Sequence, residues 1–207
     1  MGDCIMTDER NAEAVSARIR ALALAQERAA DLLDAAPAAD ALKGFRTAFE
    51  AAGLDASAFP ILSLDVLAAQ FDVVYALEDE GTYLLQESRY VGDPLSVESA
   101  IKRTFDSMGF TGSNASFPFC HIANELRFLA FVLNACEDAR ATGDMRGAMR
   151  FAGVAMNFLV DHLGYLHQMA LECDLFEAPA YAEIARAIEM LAKVDREAFI
   201  GFMRPLR

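Results

Sequence analysis

Helical periodicity runs along nearly the whole of this chain, and strand patterning is almost absent. Apolar residues return at three- and four-residue intervals, as one face of a helix requires. No stretch sustains a two-residue alternation, and no Asn-Gly or Asp-Gly pair offers a tight hairpin. These constraints leave an all-α fold, a single bundle of about eight to ten helices. The spacing predicts a first helix over 8–35, with Ile19, Leu22, Leu24, Leu32 and Leu33 on its apolar side and Pro37 breaking it. A second helix over 40–52 stops at Gly53, and a third over 63–78 carries Leu64, Leu67, Phe71, Val74 and Tyr75 as its stripe.

Residues 79–92 read as irregular or short-helical. Asp93-Pro94 then opens a helix, because Asp caps well and Pro at the first helical position loses only an N–H that has no partner anyway. Gly109 is a natural left-handed stop for it. The segment 109–119, with Gly112, Ser113, Asn114, Ser116 and Pro118, is a loop. It is expected to act as a hinge inside one domain of residues 1–207, joining an N-terminal lobe (about 8–109) to a C-terminal lobe (about 120–203). Further helices are expected over 121–142, 145–161, 162–173, 179–193 and 195–203.

Composition narrows the function classes. A chain of 207 residues that is 55% hydrophobic has ample material for a core. Its formal net charge of -13 disfavours nucleic acid and anionic membrane surfaces and suits a cationic partner. Cys4, Cys120, Cys136 and Cys173 form no Cys-x-x-Cys pair, so they read as free thiols in a reducing compartment. The N-terminus has acids where a secretory signal needs a basic flank, and no uncharged apolar run reaches the roughly 18–20 residues of a spanning helix. The expected location is the cytoplasm. No metal or other cofactor is expected: paired Glu-x-x-His motifs are missing, and His162 and His167 are five apart. There is neither a Gly-x-Ser-x-Gly elbow nor a phosphate-binding loop, so the reading is not an enzyme.

One stretch commits polar groups to an apolar setting: Pro118-Phe119-Cys120-His121-Ile122-Ala123-Asn124-Glu125-Leu126-Arg127-Phe128-Leu129. On a helical wheel His121 and Glu125 fall on one side, at i and i+4, beside the face of Ile122, Leu126, Leu129 and Leu133. A partly buried carboxyl needs a partner. In one reading His121 supplies it and the pair only fixes the helix. In the other, the pair is a polar anchor in a peptide groove with Phe117, Pro118 and Phe119 as an adaptable wall. Met and Phe are mostly core, with some left to line a soft groove.

This stretch resembles the signature of the TorD/DmsD/NarJ family, all-helical cytoplasmic chaperones for molybdenum-cofactor oxidoreductases. The signature, Pro-x-Asp-His-hydrophobic-x-x-Glu-Leu-x-Phe-hydrophobic, is matched at Pro118, His121, Glu125, Leu126 and Phe128, and departs at Cys120, where the family has Asp. Gln86-Glu87-Ser88-Arg89-Tyr90 before Asp93-Pro94 is similar to a Tyr-Glu-Ser-x-Tyr segment of the family, and Phe158-Leu159-Val160-Asp161-His162-Leu163 also looks like it. The resemblance covers roughly 18–202. It implies a non-enzymatic chaperone that holds the catalytic subunit of a molybdopterin oxidoreductase, by a twin-arginine leader or a mature region, as a monomer or homodimer. By the same resemblance, Glu87, Tyr90, Phe117, Pro118, Cys120, His121, Glu125 and Phe128 would contact the client. A thiol at Cys120 lacks the charge of the family's Asp, so a mature region of the client, or a client without a leader, stands beside the leader as an alternative ligand. The alternatives are a small-molecule- or nucleotide-binding protein or enzyme using a His121/Glu125 pocket, and a helical adaptor with an unrelated partner.

Overall fold

The computed structural model describes residues 2–75 and 84–203, and among these the only regular elements are helical. Eight α-helices follow in order: α1 (Gly2–Leu32), α2 (Ala39–Ala51), α3 (Leu64–Tyr75), α4 (Pro94–Met108), α5 (Ile122–Ala141), α6 (Met145–His162), α7 (Leu166–Leu175) and α8 (Pro179–Met203). Short 3-10 turns lie at Ala56–Ala58 and Glu87–Arg89. The all-α expectation holds, and both ends of α4 have the predicted chemistry. Asp93 accepts from Ser96 N at 3.0 Å with Pro94 in the first turn, and Gly109 closes α4 at φ 69°, a left-handed value that favours glycine. Asp144 caps α6 by accepting from Gly147 N.

Several boundaries differ from the sequence reading: α1 begins at Gly2 rather than at 8, and α7 spans Leu166–Leu175 rather than 162–173. The first helix ends at Leu32, several residues before Pro37. The expected break at Asp195 does not occur: α8 runs straight through it. Asp195 lies fully buried inside the helix, where its carboxyl accepts a hydrogen bond from Gln26 Nε2 of α1. A residue that reads locally as a cap is here an interhelical contact.

Helix α5 is the axis of the bundle. It is buried along most of its length, packs most extensively on α1 and then on α6, and α8 covers α1, α3, α6 and α7. Small residues make the close approach possible: Ala23, Ala25, Ala29 and Ala30 of α1, and Ala182, Ala185 and Ala187 of α8, are buried. With no Trp in the chain, Phe fills the large volumes. Phe128 sits 4.7 Å, ring to ring, from both Phe105 and Phe158, and Phe45, Phe49 and Phe59 form a second cluster under α2.

One apolar cluster extends from Ile19 to Ala192, through both regions flanking the 109–119 segment. That segment is held down by Asn124, which is buried in the first turn of α5. Its Oδ1 accepts from Asn114 N at 2.7 Å and its Nδ2 donates to Pro118 O at 2.9 Å. Asn114 Nδ2 in turn donates to Asp34 Oδ1 at 2.9 Å, and Glu98 accepts from the N–H groups of Phe119 and Cys120 at 2.7 and 3.0 Å. Arg127 grips both oxygens of Asp34 at 2.9 Å. Burial works to raise the Asp34 carboxyl, but the bonds from Arg127 and Asn114 prevail and hold it below its ordinary value.

Candidate functional site

The site is assembled where the 84–92 segment crosses the start of α5. Glu87 N donates to Cys120 O and Ile122 N donates to Leu85 O, both at 2.9 Å, around an isolated antiparallel bridge between Gln86 and His121. This clamp turns the Glu87 side chain inward. Its carboxyl, 2% exposed, lies 3.0 Å from His162 Nδ1 at the end of α6. Behind it is Glu125, fully buried, whose Oε2 accepts from Tyr165 OH at 3.1 Å while Oε1 has no donor within reach.

Burial pushes the Glu125 carboxyl well above the carboxylate range, and the adjoining Glu87 carboxyl, within hydrogen-bonding reach, adds to it; the bond from Tyr165 works the other way and does not offset them. The niche therefore favours the protonated form of Glu125. A protonated Glu125 carboxyl becomes a donor, and the adjoining Glu87 carboxyl is an acceptor for it; Oε1 is the oxygen that no N–H or hydroxyl reaches. Tyr165 is held in place by Tyr90, stacked on it with ring centroids 5.3 Å apart and planes at 13°. Tyr90 OH donates to Leu84 O at 2.7 Å.

Above this pair opens a cleft of about 490 Å³, walled by Glu87, Tyr90, Asp161, Tyr165, Gln168 and Glu172. Arg89 is also at its wall, with Nε donating to Glu172 Oε2 at 2.6 Å and the guanidinium 5.4 Å from the centre of the Phe176 ring. Exposed aliphatic residues adjoin its wall: Val91 is part of the lining, Val160 precedes Asp161 on α6, and Leu171 and Leu175 share a face of α7 with Gln168, Leu175 being 77% exposed.

The eight sequence-predicted residues separate into groups. Glu87 and Tyr90 line the cleft, and Glu125 is buried behind it, bonded to the lining Tyr165. His121 does not join them. It is the N-cap of α5, with φ -77° and ψ 133°, so its backbone is extended and the i, i+4 geometry that would set it beside Glu125 does not apply. Its Nδ1 accepts from Ala123 N at 3.3 Å, its ring stacks on Phe117 at 4.1 Å, and its Nε2 has no partner. Burial lowers its pKa to about 3, leaving a neutral imidazole. The expected His121–Glu125 partnership is thus absent, and Tyr165 takes that role. Cys120 is buried with its thiol 3.4 Å from Ser88 Oγ, and burial pushes it up to about 12, so it carries no thiolate. Pro118 contributes a carbonyl to Asn124, and Phe128 lies in the Phe core, fully buried.

The sequence reading missed Tyr165, Gln168 and Glu172, cited Asp161 for its likeness to a family segment, and cited His162 for that likeness and as a residue too far from His167 in register to share a metal. Their one signal was a run of polar residues at the α6–α7 corner of an otherwise apolar region. Among the described residues no group of three or more His, Cys, Asp or Glu side chains is arranged to hold a metal ion, and no helix is long and apolar enough to cross a membrane. Compared with known proteins, the chain matches no family model, no curated protein and no solved structure.

Proposed function

We propose that this protein is a client-binding chaperone of the TorD/DmsD/NarJ kind. In this reading it holds the catalytic subunit of a molybdopterin-dependent oxidoreductase in the cytoplasm until the cofactor is inserted, and acts by binding rather than by chemistry. The observation that carries the reading is the acid-walled cleft over Glu87, with Val91 in its wall and exposed Leu171 and Leu175 on the α7 face that carries Gln168. A segment with a basic start and an apolar continuation fits such a surface: guanidinium or ammonium groups meet Glu87, Asp161 and Glu172, and apolar side chains cover the surrounding aliphatic residues. A net charge of -13 adds long-range attraction for the basic end. A twin-arginine leader has this pattern, and so can a basic stretch of the mature client.

The test uses purified protein and labelled peptides in fluorescence anisotropy. A peptide with an Arg-Arg pair and an apolar tail should bind, a Lys-free Gln-Gln control should bind far more weakly, and Asp161→Asn with Glu172→Gln should reduce the difference. Affinity capture from the native host should recover a molybdopterin-type catalytic subunit. Equal binding of both peptides, together with no such subunit recovered, would overturn the reading.

A further inference from the structure

We propose that the cleft takes its cationic guest in exchange for a proton held between Glu125 and Glu87. The inference rests on the reading of the cleft as a site for a basic segment and adds what that binding does to the buried acids beneath it.

The geometry is a relay from the core to the surface. Tyr165 OH donates to Glu125 Oε2, Oε1 of the same fully buried carboxyl has no partner, the Glu125 carboxyl adjoins that of Glu87, and Glu87 lines the cleft and lies 3.0 Å from His162 Nδ1. Two carboxyls in one dry niche cannot both ionise without a counter-charge, and a proton on Oε1 resolves both the charge and the missing hydrogen bond.

The surrounding groups supply little compensation. From the 3-10 turn come Arg89 and Tyr90; Arg89 is paired with Glu172 of α7 at 2.6 Å. From α4 comes Glu98, already accepting from Phe119 and Cys120 N–H groups and adding negative charge near Glu125. Ahead of α5 is the neutral Cys120 thiol. From α6 come Asp161 and His162, and the α7 cap is Tyr165. A guanidinium seated beside Glu87 adds positive charge next to the paired carboxyls. Glu125 can then ionise, and its proton leaves to solvent. One positive charge enters and one departs, so the niche keeps its net charge, and the only bond broken is the O–H of Glu125.

Isothermal titration calorimetry on the full chain tests this. The probe is an acetylated, amidated peptide with an Arg-Arg pair and a leucine tail, which has no group of its own that titrates near neutrality. At pH 7 the apparent enthalpies in PIPES and in Tris should differ by the ionisation heat of roughly one proton per peptide. Glu125→Gln should abolish the difference. Tyr165→Phe removes the one bond that favours ionised Glu125, so it should move the pH at which release is half complete upward. Identical heats in both buffers for the wild type, with binding intact, would overturn the exchange and leave the site standing. Absence of binding in either buffer would overturn the site itself, and the exchange with it.

Discussion

Asp195→Asn is expected to make the protein more stable, increasingly so as pH rises. Asp195 is fully buried and accepts from Gln26 Nε2, while Asp195 Oδ1 and Gln26 Oε1 both lack partners. Those two orphans are complementary once the acid is protonated: Oδ1–H donates to Oε1, closing a two-bond ring between acid and amide. Burial pushes the carboxyl up to about 7, with the Gln26 bond pulling the other way. Against an unfolded value near 3.9, the folded state binds the proton more tightly, so stability falls as pH rises from about 4 to 7 and levels off above that. The full cost of ionisation is about 4 kcal/mol. Asn has no proton to lose, and its Nδ2 donates to Gln26 Oε1 at every pH. Urea unfolding of both proteins at pH 5 and pH 8 cancels the titrations they share. The advantage of the variant should grow by roughly 2.5 kcal/mol between those two pH values. Parallel pH profiles would refute the argument, since they would mean that Asp195 titrates alike in the folded and unfolded chain.

Three further outcomes are expected. Asn124→Ala should lower stability by about 2–4 kcal/mol and open 109–119 to limited proteolysis, because one buried side chain satisfies Asn114 N and Pro118 O; unchanged cleavage would count against its anchoring role. Cys120, Cys136 and Cys173, all buried, should resist a water-soluble thiol reagent in the native state and react in urea, as Cys120 pushed up to about 12 requires; native labelling of Cys120 at a free-thiol rate would refute this. Arg89→Gln should tighten binding of an Arg-Arg peptide by roughly two- to fivefold at low salt, because Glu172 loses its present cation; weaker binding would show that Arg89 contributes to the guest's seat.

The helical class, the α4 boundaries and the capacity for a core were legible in the residues, because each rests on interactions spanning a few positions. Repetition at three and four residues, Asp93-Pro94 at a start and Gly109 at a stop act within one or two helical turns. Glu125 could be named as an unusual acid for the same reason, since a carboxyl beside an apolar face is visible locally; Glu87 was named only by the family resemblance. Their partners were not visible. Glu125 is bonded by Tyr165, 40 residues away, Glu87 by His162, 75 away, and Asp195 by Gln26, 169 away. The local rule at His121 also failed for a definite cause. Whether a residue is the first of a helix or its cap shifts its side chain out of the helical register, and here the bridge between Gln86 and His121 accompanies an extended backbone. Local geometry thus set which segments are helices. The folding of α1 and α8 around α5, and of the 84–92 segment across its start, decided which buried acids meet, what each is bonded to, and that they meet beneath a cleft.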